Sequence, residues 1–151
     1  MEKVYFVSRI ATIIKAMATV YGYKYPSAII AMAILESNYG KSQLSAKYHN
    51  FHGMKCGSSW TGKSVNLATK EEYSPGVLTS IRDNFRVYDD DYEGIKGHFQ
   101  FLQYTRYNNL KSATSPEDYL QKIVADGYCT SKTYVKSCMD LITKYSLTEF
   151  D

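Results

Sequence analysis

Several features that identify large classes of protein are scarce in this sequence of 151 residues. It has three cysteines, at positions 56, 129 and 138, and no Cys-x-x-Cys pair, so we predict no disulfide framework. Its net charge of +3 is small and scattered, which argues against a nucleic-acid-binding protein. Internal repeats and low-complexity linkers are also missing. We therefore predict one domain over residues 1–151, large enough to bury its own hydrophobic core.

Long uninterrupted hydrophobic runs are missing as well. Near the N-terminus, Arg9 interrupts the first apolar stretch and Lys15 ends the second. Because no apolar core of signal-peptide length remains, we expect neither a signal peptide nor a membrane-spanning segment. The protein is therefore expected either to be released from the cytoplasm by other means or to be a domain of a longer exported protein.

The order of hydrophobic and polar residues predicts helices at both ends of the chain and a β-hairpin between them. Strand-like alternation runs over 65–70 and 77–87, on either side of a Ser-Pro-Gly turn. Residues 45–62 are rich in Gly, Ser, Asn and His and are predicted to form a loop. Helical spacing, caps and stop residues predict helices over 3–20, 29–35, from about 91, 116–126 and 132–145. The predicted fold class is α+β, mainly α.

Glu36 is the residue that says most about function. The eleven residues before it, from Tyr25 to Leu35, carry no charge, and a polar turn follows it directly. A carboxyl group at the end of an apolar helix is partly desolvated, which raises its pKa. Such a group holds a proton near pH 7 and gives it to a leaving group. We therefore predict an enzyme that uses Glu36 as a general acid.

The hydrolysis of a glycosidic bond needs such an acid and usually a second carboxylate. Glu71 and Glu72, near the end of the first predicted strand, are the candidates. Neighbours in a strand point to opposite faces, so only one of them faces a given cleft. Alternation by itself leaves open which one does.

Blocks of residues along the chain resemble the signature of glycoside hydrolase family 73, the peptidoglycan N-acetylglucosaminidases. They are A-I-L-E-S-N-Y-G-K-S at 33–42, N-F-H-G-M-K at 50–55, W-T-G at 60–62, F-R-V-Y at 85–88 and Y-C-T-S-K-T-Y at 128–134. Glu72-Tyr73 falls where the family has a hairpin glutamate and its tyrosine. An ordered set that covers nearly the whole chain is far more specific than a single motif.

The resemblance implies a fold and a set of site residues. The implied fold is a lysozyme-like helical lobe with a small β-hairpin lobe and a substrate groove between them. Glu36 is then the general acid, Glu72 the second carboxylate on a mobile hairpin, and Tyr128 the aromatic residue that faces the acid and helps to seat the N-acetyl group. Substrate-binding residues are expected in the other blocks, at Asn50, Phe51, Trp60, Tyr73 and Tyr134.

The implied reaction is the endo-acting hydrolysis of the β-1,4 bond between N-acetylglucosamine and N-acetylmuramic acid in peptidoglycan. No cofactor or metal is expected, although His49, His52 and Cys56 have a spacing that would suit a metal. The expected partner is the glycan strand, bound by a monomer that neither inserts into membranes nor binds nucleic acid. The expected place of action is the bacterial cell wall, as a phage lysin, a virion-associated enzyme or a domain of a longer exported protein.

Two departures from the family pattern affect the expected site. His52 stands where the family usually has Phe, which predicts a more polar groove floor. Ser131-Lys132 replaces the usual Asp-Pro, so the loop that aims Tyr128 is expected to be held differently. Neither departure changes a proposed carboxylate.

The sequence leaves both the mechanism and the exact function open. The anomer inverts if both glutamates act on a water molecule; otherwise the substrate's N-acetyl oxygen attacks, oriented by Tyr128 or Asn50. A muramidase or lytic transglycosylase also uses a glutamate in E-S-x-x-G, usually followed by a Gly-Leu-Met-Gln segment that is absent here. A non-catalytic sugar-binding module and a structural virion component with only local wall digestion are two further possible functions.

Overall fold

The structure, a computed structural model, describes every residue of the chain except the side chain of Glu72. The α-helices are α1 Glu2–Tyr21, α2 Pro26–Ser37, α3 Gln43–Tyr48, α4 Asp91–Phe101, α5 Pro116–Ala125 and α6 Tyr134–Lys144. The strands are β1 Ser64–Ser74 and β2 Val77–Arg86, and 3-10 helices cover Thr105–Ser112 and Leu147–Phe150. The helices form one lobe and the hairpin the other, which confirms the predicted α+β, mainly α, fold.

Helix α2 is the centre of the helical lobe. Every residue from Pro26 to Ile34 is buried, because α1, α6 and the C-terminal 3-10 helix surround it. Pro26 opens the helix as predicted, and Asn38 ends it in the left-handed conformation with φ 48°. Burial of each large aliphatic side chain contributes about 1.5–3 kcal/mol to stability. This packing fixes the C-terminal end of α2, and with it the position of Glu36.

The predicted loop over 45–62 begins later than expected, because α3 extends to Tyr48. Ser42 caps this helix: its side chain accepts a hydrogen bond from the backbone N–H of Ser45 at 3.2 Å. One N-cap bond of this kind contributes about 1 kcal/mol, and Gln43, Leu44, Ala46 and Lys47 are themselves good helix formers. The loop prediction was wrong at its start because it relied on the Gly, Ser, Asn and His content of residues 45–62 and did not use the Ser42 cap.

The predicted hairpin is confirmed, with Ser64 opposite Arg86 and Glu72 opposite Leu78. The register shifts between Glu72 and Ser74, next to a turn in which Gly76 has φ 80°. The base of the hairpin is anchored by Phe85, which is buried and forms a bridge with Lys55 of the preceding loop. The outer half is exposed, so the hairpin projects as an arm beside the helical lobe.

Helix α1 corrects the expectation that no segment has the properties of a membrane span. By length and composition alone, Glu2–Tyr21 is apolar enough to cross a membrane. Core helices and N-terminal signal sequences share these two properties. In the structure the apolar face of α1, including Ile10, Ile14 and Met17, is buried in the core against α2 and α4.

Candidate active site

Glu36 lies in the last turn of α2, directly before a sharp reversal of the chain. Three consecutive residues of this turn are left-handed: Asn38, Tyr39 and Gly40 have φ of 48°, 58° and 75°. Left-handed residues other than glycine are uncommon and carry strain, which the surrounding contacts must offset. The carboxyl group of Glu36 is therefore held at a fixed and partly strained corner.

Ser37 and Gly40 explain why the block E-S-x-x-G makes this corner. The buried hydroxyl of Ser37 donates to the carbonyl of Ala33 at 2.6 Å and accepts the backbone N–H of Gly40 at 2.9 Å. A Cβ atom on Gly40 would lie 2.5 Å from the ring of Phe6, so a larger residue fits only if this buried ring moves, and the φ of 75° also favours glycine. Serine and glycine at these positions orient the glutamate.

Both carboxyl oxygens of Glu36 are held by hydrogen bonds. The hydroxyl of Tyr128 donates to Oε1 at 2.8 Å, and the hydroxyl of Tyr134 donates to Oε2 at 3.1 Å. The Nδ1 atom of His52 lies 3.3 Å from Oε2. The side chain of Glu36 is only 19 % exposed. The structure thus joins Glu36 and Tyr128, as the sequence predicted, and adds two further partners.

Burial raises the pKa of Glu36 to about 8, as predicted in direction, and outweighs the lowering by its bonds to Tyr128 and Tyr134. The two tyrosines remain donors, because burial and the nearby Glu36 charge raise their own pKa values well above the usual range. At pH 7 the Glu36 carboxyl group therefore carries its proton in most molecules. The group is poised to act as a general acid.

A groove of about 1110 Å³ separates the two lobes, and Glu36 and Tyr128 line it from the helical side. Thr69, Glu71 and Arg82 line it from the hairpin. The volume exceeds the roughly 300–1,000 Å³ of most small-molecule pockets. The groove therefore has room for several sugar units of a polymer.

The two hairpin glutamates differ in what the structure describes. Glu71 lines the groove, and its Oε1 lies 2.6 Å from Nζ of Lys55, which is also 3.5 Å from Asp83. The backbone of Glu72 pairs with Leu78 near the end of the hairpin, and its side chain lies outside the described part of the chain. A second-carboxylate role for Glu72 stays a prediction.

Two residues predicted to bind substrate are buried instead. Asn50 is 2 % exposed, and its side chain bonds the backbone of Met54 and the carbonyl of Arg86, all at 2.9 Å. Phe51 is also 2 % exposed and packs on Phe6 with ring centroids 6.0 Å apart. Asn50 joins the loop to β2 and Phe51 packs it against the core, and neither is among the residues that line the groove.

The other three predicted substrate contacts lie outside the set of side chains that line the groove. Trp60 donates to the carbonyl of Lys63 at 2.9 Å, and the guanidinium of Arg86 stacks on its ring. Tyr73 is exposed near the tip of the hairpin. Tyr134 is 7 % exposed and contacts Glu36. The hydroxyl of Tyr134 is thus directed to the acid, and its role in binding substrate stays a prediction.

Three aromatic residues of helix α4 and the segment that follows it belong to the site but were not predicted from the sequence. Phe101 and Tyr104 line the groove beside Tyr128. His98 is fully buried and stacks on His52, with ring centroids 3.7 Å apart and an interplanar angle of 12°. For His98 a signal existed, since it lies three residues after Ile95 on the buried face of α4. None of the three belongs to a block that resembles the family.

Among the described residues, no group of three or more His, Cys, Asp and Glu side chains is placed to hold a metal ion. Nδ1 of His49 lies 2.8 Å from Asp91, while Nδ1 of His52 faces Glu36, so the two imidazoles contact different carboxyl groups. Cys56 and the other two cysteines are not in disulfides.

Comparison with known proteins gives a consistent result. A family model named Glucosaminidase, described as mannosyl-glycoprotein endo-beta-N-acetylglucosaminidase, matches residues 11–147. The exo-glucosaminidase LytG of Bacillus subtilis is 33 % identical over 83 % of this chain and 46 % of its own length. A probable N-acetylmuramidase of Lactococcus lactis is 34 % identical over 97 % of this chain and 34 % of its own.

The same similarity extends to solved structures. The catalytic domain of the autolysin Auto from Listeria monocytogenes has a TM-score of 0.83 at 28 % identity, over 100 % of this chain and 88 % of that one. This chain spans less than half the length of the curated relatives named above. The family model nevertheless covers almost all of it, and the residue blocks, the two-lobed fold and the buried glutamate agree with that match. The chain belongs to the glucosaminidase family, glycoside hydrolase family 73.

Proposed function

We propose that this domain hydrolyses the β-1,4 bond between N-acetylglucosamine and N-acetylmuramic acid in bacterial peptidoglycan, with Glu36 as general acid. The observation that carries the proposal is the Glu36 carboxyl itself. It is partly buried, hydrogen-bonded at both oxygens, and faces a groove large enough for a glycan strand. Family membership supplies the reaction class, and the geometry supplies an acid that is protonated at neutral pH.

In the proposed first step, Glu36 gives its proton to the bridging oxygen as the bond from that oxygen to the anomeric carbon breaks. Positive charge develops at the anomeric carbon, and a nucleophile on the opposite face attacks it. Water finally supplies the new hydroxyl group, and its second proton restores the protonated carboxyl. No cofactor takes part in these steps.

We propose that Glu36 is the single essential carboxyl and that Glu72 is accessory. The substrate's own N-acetyl oxygen then serves as the nucleophile, and water opens the resulting ring. Of the two residues expected to orient this group, Asn50 is buried with its amide fully engaged, whereas Tyr128 lines the groove. Tyr128 is therefore the better candidate.

We also propose that the domain acts as a monomer on glycan strands at the cell wall. Its net charge of +3 favours approach to a polyanionic wall but is too small for nucleic-acid binding. The apolar face of α1 is occupied by the core, which supports action without membrane insertion. The release route, as a phage protein or as part of a longer exported chain, remains as predicted from the sequence.

The second candidate is cleavage of the alternate bond, as in a muramidase. The similarity to the probable N-acetylmuramidase of Lactococcus lactis favours it specifically. Both activities need the same acid, and the difference lies only in which sugar occupies the subsite before the scissile bond. The site geometry is compatible with either sugar order.

Identification of the new sugar end distinguishes the two candidates. Purified cell walls digested with the domain are reduced with borohydride and hydrolysed, and the reduced sugar is identified. We expect glucosaminitol. Muramicitol would show a muramidase, and anhydromuramic acid a lytic transglycosylase. Binding to glycan strands without any new end would show a sugar-binding module and overturn the proposal.

A further inference from the structure

We propose that His52 is a positioning residue that directs the acidic proton of Glu36 to Oε1, by donating a hydrogen bond from its own Nδ1 to Oε2. This inference rests on the proposed role of Glu36 as general acid. It assigns a task to a buried histidine from which the sequence analysis expected only a more polar groove floor.

The hydrogen bonds that the described side chains make to the Glu36 carboxyl leave one acceptor site open. Each carboxyl oxygen accepts two hydrogen bonds. Among the described side chains, Oε2 is bonded by the hydroxyl of Tyr134 at 3.1 Å and by Nδ1 of His52 at 3.3 Å, while Oε1 accepts a hydrogen bond from the hydroxyl of Tyr128 alone, at 2.8 Å. A proton can therefore bind Oε1 at this open site without breaking any of the three hydrogen bonds to the carboxyl group. Tyr128, the partner of Oε1, and His52, beside Oε2, both belong to the residues that line the groove.

The surroundings of His52 determine which of its nitrogens carries the hydrogen. Its side chain is fully buried, and Nε2 has no hydrogen-bond partner among the described residues. A neutral imidazole has one N–H group, and a buried N–H without an acceptor is costly. A hydrogen on Nδ1 has the Glu36 carboxyl as its acceptor, whereas a hydrogen on Nε2 has no acceptor among the described residues. The Nδ1–H form is therefore the stable one.

The imidazole of His98 keeps His52 in place without competing for its hydrogen bond. The rings stack at 3.7 Å, and both nitrogens of His98 also lack partners among the described residues. Burial lowers the pKa of His52 to about 3, and burial together with His52 lowers that of His98 well below its usual range. His52 is thus an uncharged donor whenever Glu36 titrates.

Other titratable groups around Glu36 come from several elements and do not replace this donor. The segment after α5 supplies Tyr128, and α6 supplies Tyr134 and Cys138. Burial and the charge of Glu36 raise the pKa of Cys138 to about 12. Further charged groups line the same groove from the opposite side: Lys55, Lys70, Glu71, Arg82 and Arg86. Among the described side chains, Oε2 accepts hydrogen bonds from Tyr134 and His52 only.

The test is His52→Phe, measured by 13C NMR titration of the Glu36 carboxyl and by the pH dependence of kcat/KM on a soluble peptidoglycan fragment. Loss of a donor to the ionised carboxylate destabilises that form, so both midpoints should rise by about one pH unit. KM should change little, because His52 acts through Glu36, while kcat falls. His52→Asn places an amide nitrogen near the former Nδ1 and should return both midpoints to within about 0.3 pH units of the parent protein.

The matched control is His98→Phe, the same exchange at a ring that makes no hydrogen bond to Glu36. Because a Phe ring still stacks on His52 and keeps it in place, both midpoints should stay unchanged. An unchanged midpoint in His52→Phe, or an equal rise in His98→Phe, would overturn the inference. If His52→Phe does not fold, His52→Leu provides the donorless variant. The NMR titration does not depend on catalysis. If the NMR midpoint shifts in His52→Phe but the Glu36→Gln enzyme is active, the proposed function is rejected. The inferred hydrogen bond between His52 and Glu36 then still stands.

Discussion

Replacement of Glu36 by Gln is expected to lower wall-lytic activity by about 10²–10⁴-fold, the usual contribution of a general acid, while the fold is retained. Glutamine matches the shape of glutamic acid and continues to bond Tyr128 and Tyr134, but it has no acidic proton to give to the leaving oxygen. The rate of clearing of purified cell walls, or the release of reducing ends, measures the effect. Near-ultraviolet circular dichroism checks that the variant is folded.

The two hairpin glutamates provide the comparison for this result. Because we propose one essential carboxyl, Glu72→Gln and Glu71→Gln should each lose less activity than Glu36→Gln, and the loss should depend on the substrate. A Glu36→Gln enzyme with near-normal lysis would show that the acid lies elsewhere. A Glu72→Gln loss as large as that of Glu36→Gln would instead support the two-carboxylate mechanism.

Gly94→Ala is expected to lower the free energy of unfolding by about 2–4 kcal/mol and the Tm by about 5–12 °C. A Cβ atom at this position of α4 would collide with the backbone carbonyl oxygen of His49, which cannot rotate away. The gain of about 1 kcal/mol in helix propensity is too small to offset this collision. The loop that begins at His49 carries His52, so activity should fall as well.

Gln100→Ala is the matched control, because it lies in the same helix at an exposed position. It should change stability by no more than about 0.5 kcal/mol. Chemical denaturation of both variants measures the difference. A Gly94→Ala protein as stable as the parent would show that the loop has room to move away from α4.

The sequence was sufficient for those parts of the site that depend on local order. Pro26, the apolar run and the polar turn indicated a helix that ends at Glu36, and alternation around Gly76 indicated the hairpin. These features depend on contacts between residues close in the chain, which motifs and periodicity express directly.

The failures concern contacts between distant parts of the chain. Asn50 and Phe51 occur in a block with the family signature, but a block marks a position and not the direction of a side chain. Tyr134 and His52 meet Glu36 only because α6 and the loop after α3 pack against the same end of α2. His98, three residues after Ile95, resembled an ordinary core position. Its stacking on His52 required the tertiary structure.

The pKa of the Glu36 carboxyl is the most direct test of the account, because the proposed mechanism requires this group to be protonated at neutral pH. Burial raises that pKa from 4.5 to about 8, so the acid is intact at lower pH and is lost as the pH rises through about 8. We predict that the Glu36 carboxyl resonance titrates near pH 8 and that kcat/KM declines with the same midpoint. Titration near pH 4.5, or an alkaline decline that does not follow this carboxyl, would contradict the account.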